Sequence, residues 1–397
     1  MESVDTIYLD HCATTPVRSE ALEAMLPYFD QHYGNPSSLH RLGREAGKAL
    51  RSARSQIADV LGCSPGEVIV TSSGTEADNL ALRGVAFARR QRGEGNHIIV
   101  SAVEHKGILE TAEQLRDGFD FELTVLDVDT TGRVSPMDLA LAIRPDTLLV
   151  SIMAANNEVG TIQPMAELSA VCRERGVPFH SDAVQASGSL SLTVDDLGVD
   201  LMSLGAHKFY GPKGIGLLYV RRGVPLQPQI TGGSHEGKRR ASTENVAYIV
   251  AMAVALDLAQ TERAGESVRL AALRDRLIDG VQAAVPDSYL TGHRSQRMAN
   301  HASFVVRGIE AEGMLIGLDM AGICASSGSA CTSGAQAPSH VLTAMGVPRH
   351  EAVGHLRLSL GHSNTDADVD RLLEVLPPLV ARLRQMSPFR EALEQHR

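Results

Sequence analysis

The stretch SLGAHKFYGPKG, residues 203–214, runs from a short apolar segment into a turn of glycines and a proline. Lys208 stands directly after His207, at the point where the apolar segment ends. Most lysines near such turns are solvated loop residues. A lysine held in a cleft, however, has a lowered pKa and can act as the nucleophile that forms a Schiff base with an aldehyde. The residues that the rest of the chain places around Lys208 decide between these two interpretations.

Short apolar runs alternate with helical stretches on both sides of Lys208. The runs that favour strands are EVIVTSS (67–73), HIIVSA (97–102), TLLVSIM (147–153), VPFHSDA (177–183), DLMSLGA (200–206) and GIGLLYV (214–220). Strands that alternate with helices predict an α/β fold whose mostly parallel sheet is covered on both faces.

The pattern changes at about residue 262. Longer helical stretches at 264–285 and 366–386 accompany strand-like segments at 301–308 and 355–361. We therefore predict a large domain at residues 16–262 and a smaller α/β domain formed by residues 1–15 and 263–397.

Composition excludes several classes of protein. The 397 residues include 47 acidic residues against 37 Lys and Arg, for a net charge of −10, and the five cysteines show no CxxC spacing. This balance argues against nucleic acid or a membrane surface as a partner, and the cysteines argue against a disulfide framework and a metal site. The N-terminus lacks the basic and apolar regions of a signal peptide, and no window approaches about 20 uninterrupted apolar residues, so we expect a cytoplasmic protein.

Polar residues follow several of the predicted strands. In a parallel sheet, ligands bind at the carboxyl ends of the strands, where the loops converge. The residues that this rule selects are Gly74, Thr75, His105, Asn156, Asn157, Asp182, Gln185, His207 and Lys208.

Two of these loops have both an ordinary and a functional interpretation. SSGTEADN (72–79) is either a routine helix start, in which Glu76 and Asp78 complement the helix dipole, or a phosphate site at a helix N-terminus. Asp182 in HSDAVQASG (180–188) either caps a turn or holds a proton on a ring nitrogen, while Gln185 can donate to a phenolic oxygen. Together with an imine-forming lysine, these groups are what pyridoxal phosphate requires of a protein.

The chain resembles the cysteine desulfurases of the NifS/IscS type, which are fold type I pyridoxal-phosphate enzymes of the class V aminotransferase family. The likeness extends from about Tyr8 to about Pro388. Its motifs are YLDHCATTPV, YGNPSSLHRLG, TSSGTEADN, EHK, NNEVG, HSDAVQ, HKFYGPKGIG, GGSHEGKRRASTENV, SSGSACTSG and LRLSLG, in that family's order. The resemblance implies a large domain with a seven-stranded, mostly parallel sheet, a smaller domain that carries a catalytic cysteine, and conversion of L-cysteine to L-alanine.

The resemblance also assigns roles to individual residues. Lys208 would carry the cofactor, His105 would stack on its ring and move protons, and Asp182 and Gln185 would contact the ring nitrogen and ring oxygen. The phosphate would be held by Gly74, Thr75, His207 and, from the neighbouring subunit of a homodimer, Thr243. Asn157 would contact cofactor and substrate, and Arg357 would bind the substrate carboxylate.

Cys331 stands apart from the other cysteines, because SSGSACTSG surrounds it with glycines and small polar residues. In the resembling family the matching cysteine takes the substrate sulfur as a persulfide and passes it to an acceptor protein, whose identity the sequence does not give. A lyase without sulfur relay, such as a selenocysteine lyase, is the alternative enzyme, and a catalytically silent relative is the alternative binding protein. A catalytically silent protein is disfavoured by the presence of Lys208, Asp182, His105 and Cys331.

One position departs from the family pattern. Gly205 stands two residues before His207, where family members usually carry a Ser or Thr whose hydroxyl contacts the phosphate. The loss of one such hydrogen bond costs about 1 kcal/mol, so we expect weaker cofactor binding rather than none.

Overall fold

The computed structural model describes residues 6–328 and 338–387. In this part of the chain, the largest sheet has seven strands in the order β2-β8-β7-β6-β5-β3-β4. These strands are β2 (Val68–Thr71), β3 (His97–Ser101), β4 (Glu122–Leu126), β5 (Thr147–Ser151), β6 (Phe179–Asp182), β7 (Leu201–Gly205) and β8 (Gly216–Val220).

The seven-stranded sheet is mostly parallel. The strands from β7 through β6, β5 and β3 to β4 pair in parallel, whereas β8 runs antiparallel to both β2 and β7. Every residue of the strands other than β4 is buried, as expected for a sheet covered on both faces. The predicted α/β fold class is confirmed.

Helices cover the sheet and connect its strands. The longer ones use ordinary capping: Ser73 accepts a hydrogen bond from the backbone of Glu76 at the start of α4, and Gly62 ends α3 in the left-handed conformation. The helices are α1 (Ser19–Met25), α2 (Pro27–Asp30), α3 (Arg41–Leu61), α4 (Gly74–Gln91), α5 (Lys106–Phe119), α6 (Pro136–Ala142), α7 (Met165–Arg175), α8 (Val194–Leu197), α9 (Val246–Ala284), α10 (Ala311–Asp319), α11 (His340–Ala344), α12 (Arg349–Ala352) and α13 (Asp366–Met386).

Two smaller sheets lie in the C-terminal part of the described chain. The antiparallel sheet contains β9 (Ser288–Leu290), β10 (His301–Val306) and β12 (His355–Ser359), and the N-terminal β1 (Ile7–Tyr8) pairs in parallel with β11 (Ile323–Cys324). Leu9 belongs to the same buried apolar cluster as side chains from residues 270–380. The N-terminal segment is therefore packed with the C-terminal one.

Helix α9 crosses the position at which the sequence pattern changes. It runs without a break for 39 residues, and its residues from Ile249 to Ala259 pack in the core under the large sheet. Its residues from Leu270 to Val281 pack in the second core. The change at about residue 262 thus reflects a helix that passes from one core to the other, and the domain boundary at 262 stays a prediction. No described helix combines the length and the apolar character needed to cross a membrane.

Candidate active site

Lys208 lies in a single 3-10 turn, Ala206–Lys208, directly after β7. Its Nζ donates hydrogen bonds to the carbonyl oxygens of Cys12 and Ala13, at 2.5 and 2.8 Å. Burial lowers the pKa of Lys208 to about 8. About a tenth of the amine is therefore unprotonated at pH 7, far more than for an ordinary lysine, and a nucleophilic lysine requires this unprotonated form.

The N-terminal turn that contacts Lys208 also contacts two other predicted site residues. The Gln185 side chain donates to the Cys12 carbonyl at 2.9 Å, and the His207 ring shares a 3.1 Å hydrogen bond with the Thr14 hydroxyl. Burial lowers the pKa of His207 to about 4, so its imidazole is neutral. The sequence analysis cited this turn only as a family motif, because a backbone carbonyl that accepts from a lysine has no signature in sequence.

The start of α4 has the geometry of an anion site. The first N–H groups of a helix have no intrahelical acceptor, and the side chain of Ser73 satisfies only that of Glu76. A Cβ atom added to Gly74 would lie 2.7 Å from Val184 Cγ2, so only glycine fits there without displacement. Gly74 and Thr75 thus present free backbone donors at the positive end of the helix dipole.

Three strand-end segments meet around Val184. Its backbone N–H donates to Asp182 Oδ1 at 2.9 Å, and its side chain approaches Gly74. A Cβ added to Gly205 would lie 3.7 Å from Val184 Cγ1, 3.6 Å from Gly74 N and 3.7 Å from His207 Cδ2. The structure therefore brings two of the predicted phosphate-binding residues, Gly74 and His207, to the same place as Asp182, the predicted ring-binding carboxylate.

His105 and Asp182 lie side by side. One ring nitrogen of His105 and one carboxyl oxygen each of Asp182 and Asp78 are all within 4.8 Å of one another. His105 caps α5, with Nδ1 accepting a hydrogen bond from Gly107 N at 3.0 Å. Burial raises the pKa of Asp182, while the nearby His105 and Lys208 act in the opposite direction. In the sequence, Asp78 is predicted only to be a partner of the helix dipole.

Arg357 on β12 is almost fully buried, with its side chain 3% exposed. Its Nη1 donates to the backbone oxygen of Asn157 at 3.0 Å, and its Nη2 contacts Asp10 Oδ1 at 2.9 Å. Its Nε has no hydrogen-bond partner among the described residues. A guanidinium with an unused buried N–H suits a ligand carboxylate, so Arg357 and Asn157 are brought together as the sequence analysis expected of a substrate site.

Thr243 is not brought into this cluster. It is exposed, and within residues 6–328 and 338–387 no hydrogen bond joins it to another predicted site residue. It follows a segment in which Glu236, Gly237 and Lys238 have φ values of 47°, 64° and 66°. The buried Glu236 carboxylate fixes this segment by a bidentate ion pair with Arg54, at 2.7 and 2.9 Å. The role of Thr243 stays a prediction.

Cys331 lies outside the described residues. Burial raises the pKa of the thiol at each of the other four cysteines, to about 12 for two of them. Those four are Cys12, Cys63, Cys172 and Cys324. A thiol with a raised pKa is a weak nucleophile at neutral pH because little thiolate is present.

The described residues fit pyridoxal phosphate. Four groups lie at one edge of the sheet, around Val184 and the N-terminal turn. They are a buried amine, a helix N-terminus too crowded for a side chain, a buried carboxylate and a neutral histidine. Pyridoxal phosphate needs a covalent partner, an anion site and a carboxylate for its ring nitrogen.

Comparisons with known proteins identify the family of the chain. Residues 7–372 match the family model described as aminotransferase class-V. The chain is 50% identical over 383 residues to cysteine desulfurase IscS of Methanosarcina thermophila, which covers 96% of this chain and 94% of that protein. A solved structure described as a NifS-like protein matches with a TM-score of 0.89 at 36% identity, over 95% of this chain and 100% of that chain. A structure of SspA in complex with cysteine matches with a TM-score of 0.77 at 34% identity, over 89% and 99% of the two chains.

Proposed function

The chain belongs to the aminotransferase class-V family and, within it, to the cysteine desulfurases, and we propose that it works with pyridoxal 5′-phosphate attached to Lys208. The substrate is L-cysteine, the product is L-alanine, and the sulfur leaves through Cys331. The observation that carries this proposal is the Lys208 amine, which is buried at the end of β7 with its pKa lowered to about 8.

The proposed cofactor site uses the cluster around Val184. The N–H groups of Gly74 and Thr75 and the neutral imidazole of His207 bind the phosphate. Asp182 binds the ring nitrogen, and the side-chain amide of Gln185 donates to the ring oxygen. Pyridoxal phosphate, when bound, supplies an electron sink for the bonds broken at the α-carbon of the substrate.

The proposed substrate site uses Arg357, Asn157 and His105. The Arg357 guanidinium binds the carboxylate of L-cysteine, and Asn157 holds the substrate beside it. Because His105 Nδ1 accepts the N–H of Gly107, the proton of the neutral ring is on Nε2, from which it can be exchanged with the substrate.

In sulfur transfer, the substrate and one protein thiol supply every atom of the products. The Cys331 thiolate attacks the sulfur atom of bound cysteine, and the carbon–sulfur bond breaks as a sulfur–sulfur bond forms. The β-carbon, which has lost the sulfur, gains a proton from a general acid such as His105, and Cys331 keeps the sulfur as a persulfide. Alanine and the persulfide together contain every atom of the substrate and the thiol, so no external oxidant or reductant is required.

We propose that the working unit is a homodimer and that the persulfide sulfur passes to a thiol of an acceptor protein. The exposure of Thr243 supports the first part, because an exposed side chain is free to reach the phosphate of a second subunit. The small polar residues around Cys331 in the sequence support the second, because such a segment can carry a thiol outward.

Borohydride reduction tests the cofactor assignment. The purified protein is reduced and digested, and the lysine that bears the cofactor is identified by mass spectrometry. We expect Lys208; Lys208→Ala should lose both the covalent link and alanine formation, while Lys213→Ala, which removes an exposed lysine from the loop that follows, should keep both. Recovery of the cofactor on another lysine would show that the assignment is wrong.

A further inference from the structure

Asp78 is a buried carboxyl group that the proposed function does not use. It lies on α4 with 1% of its surface exposed, and Asp182 at the end of β6 is 5% exposed. One carboxyl oxygen of each lies within 4.8 Å of the other and of a His105 ring nitrogen. Two carboxylates at such a separation in a dry site cannot both be ionised without a large cost, because little solvent screens their repulsion.

Asp78 shares the neighbour His105 with Asp182. The nearest basic group is the His180 ring, whose Nε2 is 3.9 Å from Asp78 Oδ1. That ring is held between the hydroxyls of Ser151 and Ser203, at 2.8 and 3.0 Å, and burial lowers its pKa to about 3. Asp78 Oδ1 has no hydrogen-bond partner within the described chain, and the other acidic neighbour, Glu104, is itself buried.

The surroundings of Asp182 are different. Its Oδ1 accepts the backbone N–H of Val184 at 2.9 Å. Burial raises the pKa of Asp182, but the nearby His105 and Lys208 act against this effect and favour its ionised form. The Val184 hydrogen bond and the Lys208 amine therefore favour a negative charge on Asp182, whereas a hydrogen bond with Ser203 is the one interaction that lowers the pKa of Asp78.

We infer that Asp78 and Asp182 hold one proton between them and that Asp78 carries it, as a neutral acid that leaves Asp182 the only carboxylate at this end of the site. Asp78 is then a positioning residue. Its O–H dipole provides a polar neighbour for the charge on Asp182 without adding a second charge. The consequence for the cofactor rests on the proposed function, since Asp182 is the residue assigned to the ring nitrogen.

Infrared spectroscopy tests the location of the proton directly. The purified full-length protein is prepared with ¹³C-carboxyl aspartate, so that only aspartate bands shift, and Glu104 makes no contribution. At neutral pH we expect a C=O band of a protonated carboxyl that disappears in Asp78→Asn and persists in Asp182→Asn. Burial remains the main cause of the raised pKa of Asp78 when Asp182 is replaced.

Every other pattern overturns the inference. The absence of the acid band in the native protein would show that both groups are ionised, and this result needs no variant. Loss of the band in Asp182→Asn, alone or together with Asp78→Asn, would place the proton on Asp182 or leave it shared without preference. A band that neither variant removes would belong to another aspartate.

Cofactor release provides a second readout, which separates this inference from the proposed function. Asp78→Leu should speed release of pyridoxal phosphate by about tenfold, the equivalent of one lost hydrogen bond to a charged group. Asp78→Asn keeps a neutral polar side chain and should release the cofactor at nearly the native rate. If it releases the cofactor as fast as Asp78→Leu does, Asp78 does not act as a neutral polar neighbour of Asp182. If Asp182→Asn leaves release unchanged, the proposed cofactor site fails while the infrared assignment still stands.

Discussion

Glu236 and Arg54 form a buried, bidentate ion pair, with Glu236 Oε2 also accepting the backbone N–H of Val70 at 3.0 Å. The carboxylate is 3% exposed and fixes two non-glycine residues, itself and Lys238, in the left-handed region. Removal of one partner from a buried pair leaves the other charge uncompensated. Glu236→Gln should therefore lower the free energy of unfolding by about 3 kcal/mol, measured by urea denaturation.

Asp370→Asn is the matched control for this prediction. Asp370 pairs with Arg276 on the surface, where the two side chains are 61% and 41% exposed, and such pairs contribute less than about 1 kcal/mol. An equal decrease in the free energy of unfolding in the two variants would show that the Glu236–Arg54 pair contributes no more than a surface pair.

Gly205→Ser should slow the release of pyridoxal phosphate about fivefold, because a new hydroxyl adds roughly 1 kcal/mol of hydrogen bonding. Gly205 has φ −125° and the nearest atom to an added Cβ is 3.6 Å away, so the substitution fits without strain. Gly74→Ala should have the opposite effect, since its Cβ would lie 2.7 Å from Val184 Cγ2. Gly66→Ser, where an added Cβ meets nothing within 4 Å, should change nothing. Faster release from Gly205→Ser would mean that the phosphate site is already filled by another group.

Lys208 should make the stability of the cofactor-free protein depend on alkaline pH. Burial lowers its pKa from 10.5 to about 8, so between these values the unfolded chain binds more protons than the folded one. The free energy of unfolding therefore rises with pH across this window, by up to about 3 kcal/mol. Urea denaturation of the native protein and Lys208→Met at about pH 7 and about pH 10 isolates this contribution. The free energy of unfolding of the native protein should increase relative to that of the variant as pH rises. If the two free energies depend on pH in the same way, the amine is not buried.

Arg357→Lys should raise the KM for L-cysteine by about tenfold or more while leaving cofactor binding unchanged, because an ammonium cannot replace a bidentate guanidinium. Arg294→Lys replaces a surface arginine that pairs with Asp279 and should leave the KM unchanged. Steady-state kinetics with both variants checks the prediction. A KM within twofold of the native value for Arg357→Lys would remove this residue from the substrate site.

The alternation of strand-like and helical segments along the sequence is sufficient to predict the fold class. The strand-like runs around residues 68–71 and 201–205 are short, apolar and bounded by glycine or serine, and both form buried strands of the large sheet. The continuous helix α9 was not predicted, because its buried face turns from one core to the other near residue 262 and the pattern resembles two segments.

The candidate site was predicted in part. Gly74, Asp182 and Lys208 follow strands of one sheet, so their proximity follows from topology. The contacts with the N-terminal turn were missed, because Cys12 offers Lys208 a backbone carbonyl across 196 residues of sequence. The local pattern predicts Asp78 to be a helix-dipole partner, since nothing in it distinguishes a buried carboxyl near the start of a helix from an exposed one.

In the proposed reaction, the substrate sulfur passes through Cys331. Peptide mass spectrometry after incubation with L-cysteine tests it most directly, with Cys331→Ser and Cys324→Ser as the matched pair. The account predicts an added sulfur on the peptide that contains Cys331 in the native and Cys324→Ser proteins, and neither added sulfur nor alanine in Cys331→Ser. Added sulfur on Cys324 or Cys63, or full turnover of L-cysteine by Cys331→Ser, would contradict it.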